Sequence, residues 1–380
     1  MKTSLKRVLP VLAVSVLLGA CSSLNPFSSS APKPAALVDL KPTAELRTLW
    51  RTSVGKSGAY VFHPAVAGDS VFAAGADGRV LRIDGGREAW RADAKTTLSA
   101  GVGSDGRLAV VVSADGVAIA YDAATGSERW RSPLGAEVLA PPAVNADVVV
   151  LRASDNRLIA LDPSDGSRRW VYQRTNPPLA LRSYAGVLLE SGVALAGFPG
   201  GKLVAISLAN GGALWELSVA APRGATELER IADVAGLPVV GRREVCAVTY
   251  QGRVACFDGS NGNALWARDF SSSVGMDRDN RFVVITDDKD AVHALDVYSG
   301  ASVWKQDALA RRGVSRPLFV GDHVAVGDVE GHVHLLGRED GAFAARSRAD
   351  SSAITADLRR LGSGFVVQTR GGDVVAYEVR

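Results

Sequence analysis

Two of the three cysteines in the 380-residue chain are spaced so that their thiols could pair. Cys246 and Cys256 flank Tyr250–Gly252, a segment with the composition of a hairpin turn. A three-residue loop with Gly252 in the left-handed conformation would place the cysteines opposite each other, with Cα atoms about 4.5 Å apart, which admits a disulfide. A two-residue turn would pair Cys246 with Phe257 and leave two buried thiols on opposite faces. The sequence leaves both outcomes open.

Metal-binding and catalytic patterns are weak. His332 and His334 are two residues apart, so on a strand they would point to the same face, and His323 would lie on the neighbouring strand. A zinc site needs a further ligand at a defined spacing. The acidic run Asp287–Asp290 occupies a hairpin-turn position, whereas a calcium loop distributes its ligands over about twelve residues. Neither a nucleophile elbow, nor a P-loop, nor a zinc-protease motif occurs. We therefore expect no catalytic residue, no metal and no cofactor.

The third cysteine follows an export signal. Residues 1–20 begin with basic side chains and continue with an apolar stretch, Val8–Leu18, which is too short to span a bilayer as a stable helix. The stretch ends in Leu18-Gly19-Ala20-Cys21, which resembles the bacterial lipobox. This resemblance implies cleavage before Cys21 and lipidation of its sulfur. Ser22, in place of the aspartate typical of inner-membrane lipoproteins, implies the periplasmic face of the outer membrane.

The charge balance limits the classes of partner. The chain has 43 Lys and Arg against 40 Asp and Glu, and the signal peptide holds three of the basic residues and no acidic one. The mature chain is thus near neutral, which argues against nucleic acid and against electrostatic binding to an anionic leaflet. Residues 21–45, rich in Ser, Pro and Ala, are expected to form a flexible tether after the lipidated cysteine. The folded domain is expected to span residues 46–380.

A repeat of roughly forty residues determines the expected architecture. Eight copies of a turn followed by a period-2 strand occur, as in Asp115–Asp122 and Asp155–Asp162. Several copies continue with a second turn and a tryptophan, as from Asp122 to Trp130. Each repeat therefore supplies about four short strands, the signature of one propeller blade. We predict an all-β fold, an eight-bladed β-propeller of four-stranded antiparallel blades.

The chain ends indicate how the ring closes. The last repeat stops shortly after Tyr377 and lacks its tryptophan-bearing outer strand, whereas Leu46–Ser53 contains Trp50 and follows no other strand. The N-terminal strand should therefore complete the last blade and remove an open edge. The recurring indoles are expected to pack between blades and to donate their N–H groups to backbone carbonyls.

The repeats resemble the pyrroloquinoline-quinone-type propeller repeats, since the Ala-x-Asp-x-x-Thr-Gly-x-x-x-Trp consensus is nearly intact at Ala120–Trp130. The lipobox, the size and the segments Leu179–Arg182 and Gly224–Val234 narrow the resemblance to the BamB family of outer-membrane lipoproteins. That resemblance implies a non-enzymatic scaffold of the β-barrel assembly machinery. Its partners would be a POTRA domain of the barrel-forming subunit BamA and unfolded outer-membrane protein clients.

Spacing independently marks two insertions. The step from a tryptophan to the next turn is 26 residues from Trp90 to Gly116, but 31 from Trp170 to Gly201 and 37 from Trp215 to Gly252. Because the additions occupy equivalent positions of consecutive repeats, they should neighbour each other on one face, as binding insertions of repeat folds do.

The residues expected to bind the partner lie in these insertions. Leu179 and Leu181 would be apolar anchors, Arg182 a multidentate donor, and Asp233 an acidic acceptor. Family members often carry a second acid two residues after the position of Asp233, where this chain has Ala235.

A quinoprotein dehydrogenase or a ligand-sensing propeller is the alternative. Such an enzyme requires a calcium-bound cofactor, an acidic base and commonly a vicinal cysteine pair, whereas Cys246 and Cys256 are ten residues apart. A sensor would normally be tethered to a signalling domain, and the sequence shows none.

Overall fold

The computed structural model describes residues 33–182 and 184–380. Within these residues the chain forms 32 strands and no helix, arranged as eight four-stranded antiparallel sheets. The predicted eight-bladed β-propeller is therefore confirmed. No helix in the described part is long and apolar enough to cross a membrane.

The first four blades follow one another along the chain, each with its strands in sequence order. Blade 1 comprises β2 (Ala65–Ala67), β3 (Ser70–Ala74), β4 (Arg79–Asp84) and β5 (Arg87–Asp93). Blade 2 comprises β6 (Gly103–Ser104), β7 (Leu108–Val112), β8 (Val117–Asp122) and β9 (Glu128–Pro133). Blade 3 comprises β10 (Ala143–Val144), β11 (Val149–Arg152), β12 (Leu158–Leu161) and β13 (Arg168–Tyr172). Blade 4 comprises β14 (Leu188–Glu190), β15 (Val193–Phe198), β16 (Lys202–Ser207) and β17 (Ala213–Ser218).

The next three blades repeat this order, and the eighth takes its outer strand from the start of the domain. Blade 5 comprises β18 (Val239–Val240), β19 (Glu244–Val248), β20 (Gly252–Asp258) and β21 (Ala264–Phe270). Blade 6 comprises β22 (Met276–Arg278), β23 (Phe282–Thr286), β24 (Val292–Asp296) and β25 (Ser302–Gln306). Blade 7 comprises β26 (Leu318–Val320), β27 (His323–Gly327), β28 (His332–Gly337) and β29 (Phe343–Arg348). Blade 8 comprises β30 (Arg359–Leu361), β31 (Gly364–Gln368), β32 (Asp373–Val379) and β1 (Leu46–Ser53).

Burial follows the position of a strand in its blade. The second strands are buried along all or nearly all of their length, as in β7 and β23, because neighbouring blades cover both of their faces. The fourth strands, such as β9, alternate between buried and exposed side chains at the outer rim. The core therefore consists of apolar layers between consecutive blades, as where Trp130 of blade 2 packs with Leu151 and Ile159 of blade 3.

Most of the tryptophans join their blade to the next one, as the sequence predicted. Five indole Nε1–H groups donate to a backbone carbonyl of the following blade at 2.8–2.9 Å: Trp90 to Ala123, Trp130 to Pro163, Trp170 to Leu208, Trp266 to Val297 and Trp304 to Arg338. Each indole also packs on the glycine of the next blade's outer turn, and a Cβ on Gly166 would lie 2.6 Å from the Trp130 ring. Trp215 occupies the same register, opposite Ala205, but Leu217 and not its indole contacts Gly262 of the next blade.

Ring closure occurs where it was predicted. β1 pairs antiparallel with β32, with Trp50 opposite Ala376, and Trp50 packs on Gly86 of blade 1. Residues 35–380 form one unit, so the folded part begins earlier than the expected boundary at Leu46. The Ala35 N–H donates to the Ala310 carbonyl, and the Ala35 carbonyl accepts from the buried Arg312 guanidinium. Residues 35–45 therefore belong to the folded part and not to the expected tether. Cys21 lies outside the described residues.

Candidate partner-docking face

The two insertions contact each other through one carboxylate. The first, residues 173–187, connects β13 to β14, and the second, residues 219–238, connects β17 to β18. The Leu181 N–H donates to Oδ2 of Asp233 at 2.7 Å, and the Gly200 N–H donates to Oδ1 at 3.1 Å. The sequence-based prediction that the insertions are spatial neighbours is thus confirmed.

The expected role of Asp233 needs correction. The sequence suggested an accessible acidic acceptor, but the side chain is buried, with 4% of its surface exposed. Its two oxygens already accept backbone N–H groups from the first insertion and from the turn after β15. Because a carboxylate that accepts charge-assisted bonds from buried backbone is held in place, Asp233 positions Leu181 and does not present a free charge to a partner.

A buried arginine lies behind this carboxylate. The Arg152 guanidinium donates to Asn156 Oδ1 at 3.0 Å and lies 5.6 Å from the centre of the Phe198 ring. Burial lowers the pKa of Arg152 to about 10, and the charge of Asp233 opposes this decrease. Arg152 therefore remains charged at neutral pH, and Asp233 partly compensates its charge.

The outer surface of the first insertion carries the other predicted residues. Leu179 is 43% exposed, although it is a large apolar side chain. The Arg182 side chain is 61% exposed and pairs with Glu137 Oε1 at 2.9 Å, while Leu181 is half-buried. Leu179 and Arg182 are therefore the residues of this set that a partner can reach directly.

The second insertion adds a residue that the sequence argument did not single out. Leu228 is 67% exposed at the tip of a short turn. Glu229 Oε2 accepts the N–H groups of Ala225 and Thr226, and the Glu229 N–H donates back to Thr226 Oγ1. This reciprocal pattern is a capping box, and its Thr-x-x-Glu spacing in the sequence could have indicated an ordered turn that presents Leu228.

The cysteine pair lies in blade 5. Cys246 and Cys256 are directly opposite each other, with Cα atoms 4.0 Å apart, and the structure joins them by a disulfide. The turn differs from the expected one because Gln251, with φ of 48°, adopts the left-handed conformation and Gly252 does not. A Cβ at Gly252 would lie 2.2 Å from Thr249 Oγ1, so this position requires glycine for space.

His334 and the acidic run have structural partners. His334 is buried and its Nε2 lies 3.0 Å from Asp328 Oδ2, while the rings of His332 and His334 are 6.0 Å apart. Asp287 Oδ1 accepts two backbone N–H groups of its own turn, and Oδ2 contacts His293. Across residues 33–182 and 184–380, no three His, Cys, Asp or Glu side chains are grouped so that they could hold a metal ion.

Known proteins are similar to this chain in both sequence and fold. The family model described as outer membrane protein assembly factor BamB matches residues 76–306 and 292–380. A BamB of Bordetella pertussis is 44% identical over 370 residues, which cover 96% of this chain and 95% of that protein. The chain belongs to the BamB family. A BamB of Pseudomonas aeruginosa is 42% identical and covers 97% of this chain and 98% of its own length.

Solved structures agree with this assignment. The crystal structure of BamB from Moraxella catarrhalis superposes with a TM-score of 0.82 at 27% identity and covers 88% of this chain and 100% of its own. A quinohemoprotein alcohol dehydrogenase from Comamonas testosteroni reaches a TM-score of 0.71 at 12% identity, which shows a common fold alone. The BamB family consists of assembly factors, so the chain is not an enzyme and the quinoprotein alternative is rejected.

Proposed function

We propose that the chain is a lipid-anchored scaffold in outer-membrane β-barrel protein assembly, and that it docks on the POTRA region of the barrel-forming subunit BamA. The names of its relatives support a role in outer membrane protein assembly. The docking surface would be the outer side of the two insertions, with Leu179, Arg182 and Leu228 as direct contacts.

One observation carries the proposal: the Asp233 carboxylate holds together two insertions that each expose a leucine. We call its hydrogen bonds to the Leu181 and Gly200 N–H groups the clamp. Exposed leucines beside an arginine supply the apolar anchor and the multidentate donor that binding hot spots need. An ordered loop loses less conformational entropy on binding than a free one, so the clamp should increase affinity without touching the partner.

A double substitution tests the docking surface. Leu179→Ala together with Arg182→Glu removes an anchor and reverses a charge, so co-purification of the barrel-forming subunit from native membranes should be lost. Circular dichroism and thermal melting should not change, because both side chains lie outside the core.

A matched double substitution on the outer rim is the control. Leu214 is 57% exposed, and the Arg129 side chain is 60% exposed and pairs with Asp122 at 3.3 Å. Leu214→Ala with Arg129→Glu should leave co-purification at the wild-type level. Binding that survives the first double substitution at full strength would show that the insertions are not the docking surface.

The anchor is tested separately at Cys21. Cys21→Ser cannot form a thioether to lipid, so the protein should be found as an uncleaved or soluble periplasmic form. Normal outer-membrane fractionation of this variant, with incorporation of labelled acyl chains, would contradict the lipobox interpretation.

A further inference from the structure

A cavity of about 520 Å³ opens on the face that carries the insertions. Its lining comes from the first strands of the blades or from the segments that lead into them, in all eight blades, so it lies around the propeller axis. Leu181 and Arg182 form part of its wall, which places it beside the proposed docking surface. Pockets of this size commonly hold small ligands.

The charged groups of this axial cavity are predominantly cationic. Arg182, Arg316, Arg359 and Arg360 line it, with Asp357 as the single carboxylate among the lining residues. The mature chain as a whole is nearly balanced, so this excess is local. A cleft lined by one sign of charge concentrates its field and attracts the opposite charge.

Existing contacts do not satisfy all of these guanidinium groups. Arg316 Nε donates to the Met276 carbonyl at 2.7 Å, and Arg360 donates to the Phe319 carbonyl at 2.6 Å. Asp357 Oδ2 lies 3.4 Å from Arg316 and 3.7 Å from Arg359, so two cations share one carboxylate.

Arg359 is the least satisfied of the four. Among the described residues its guanidinium makes no hydrogen bond, although the side chain is only 27% exposed. Burial lowers the pKa of Arg359, and the nearby Asp357 opposes that shift. Its planar fork of N–H donors matches the geometry of a carboxylate.

A buried histidine holds the backbone at Asp357. His63 Nδ1 accepts the Asp357 backbone N–H at 2.9 Å, so in the neutral ring the proton is on Nε2. His63 lines the cavity and is 6% exposed, and its Nε2 has no hydrogen-bond partner among the described residues. Because this nitrogen is itself buried, His63 fixes the position of Asp357, and the arginines are the donors that a ligand in the cavity can reach.

Apart from Arg182, the side of the cavity away from Arg316, Arg359 and Arg360 is largely apolar. Pro141, Pro142, Val144, Val187 and Leu237 line it. We propose that the axial cavity binds a carboxylate joined to an apolar body, with Arg359 as the principal donor. The carboxylate belongs either to a free organic acid or to the C-terminus of a short apolar peptide. This inference goes beyond the proposed docking and does not depend on it.

Calorimetric titration of the purified full-length mature protein tests the proposal, with a blank titration into detergent alone. The probes are 4-phenylbutyrate and acetyl-dileucine with a free carboxylate, and each is paired with its neutral amide. At least one acid should bind saturably with one site per chain. Its amide should bind at least about tenfold more weakly, because a hydrogen bond to a charged group is lost.

Substitutions locate the site. Arg359→Gln should weaken binding of the acid at least about tenfold, and Arg359→Lys should restore part of it. Asp357→Asn should strengthen binding, because the competing carboxylate is removed. Arg243→Gln is the matched control, since the Arg243 side chain is 73% exposed and lies outside the cavity lining.

The outcomes separate the two sources of the carboxylate. Binding of 4-phenylbutyrate alone supports a free acid, and binding of the peptide alone supports a C-terminus. The proposal is overturned if neither acid binds, if the amides bind as well as the acids, or if a folded Arg359→Gln protein binds like wild type. If Arg359→Gln does not fold, the amide comparison and the response of Asp357→Asn decide. Because no partner protein is present, failure here leaves the docking proposal intact.

Discussion

Replacing Asp233 by asparagine should loosen the docking face without altering any residue that we expect to touch the partner. The substitution keeps the size of the side chain and removes its charge. One oxygen can still accept an N–H group, but the new amide NH₂ must face the N–H of either Leu181 or Gly200, which are 2.7 and 3.1 Å from the carboxylate. One charge-assisted hydrogen bond is therefore replaced by two opposed donors.

The cost can be estimated from the burial of the site. Loss of a hydrogen bond to a charged group costs about 1.5–3 kcal/mol, and a buried N–H without an acceptor adds to that value. Arg152 also loses the nearby negative charge that opposes the decrease in its pKa. We expect the free energy of unfolding to fall by about 3 kcal/mol.

Urea unfolding and hydrogen exchange measure the two consequences. Asp233→Asn should lower the unfolding midpoint, accelerate exchange of the Leu181 amide and weaken partner binding. Asp115→Asn is the control, because Asp115 is an exposed turn residue of blade 2. Unchanged Leu181 exchange together with reduced partner binding would refute the clamp and indicate that Asp233 contacts the partner directly.

Three further predictions concern the propeller itself. Alkylation of unreduced, unfolded protein should add no alkyl group to Cys246 or Cys256, which the structure joins, and addition of two groups would refute the bridge. Gly166→Ala should destabilise the fold by about 1–3 kcal/mol more than Gly135→Ala. Both glycines have similar φ angles, 72° and 69°, but a Cβ at Gly166 would meet the indole of the preceding blade, whereas one at Gly135 would meet open space. Equal melting temperatures of the two variants would contradict this account. Burial lowers the pKa of His63 from 6.5 to about 4. As the pH falls, the imidazole is therefore protonated in the unfolded chain before it is protonated in the folded one. The free energy of unfolding should decrease by about 3 kcal/mol between pH 6.5 and pH 4. His63→Gln should lose correspondingly less stability over that interval in urea titrations, and an equal loss in both proteins would assign the pH dependence to other groups.

The architecture was predictable because the sequence repeats it. Eight copies of a turn followed by a period-2 strand define eight blades, and the Trp50 segment identifies the strand that closes the ring. Deviations from a constant step from tryptophan to the next turn are equally informative, since they predict two adjacent insertions. Periodicity therefore carries information about both fold and binding face.

Side-chain direction in the insertions could not be predicted in the same way. These segments have no strand period that would assign Asp233 to an inner or outer face, and its burial depends on a contact with Leu181, 52 residues away. The axial cavity also escaped prediction, because Arg316 and Asp357 are 41 residues apart and belong to consecutive blades. At Gly252 the sequence indicated glycine correctly but suggested a conformational reason, whereas the requirement is steric.

Site-specific photo-crosslinking in living cells tests the docking claim most directly. A photoreactive amino acid replaces Leu179 in one strain, and in another it replaces Leu214 on the outer rim, where the exposed fraction is 57% against 43% for Leu179. The account predicts a covalent adduct between position 179 and a POTRA domain of the barrel-forming subunit, identified by mass spectrometry, and none from position 214. Equal adducts from both positions, or adducts from position 214 alone, would contradict it.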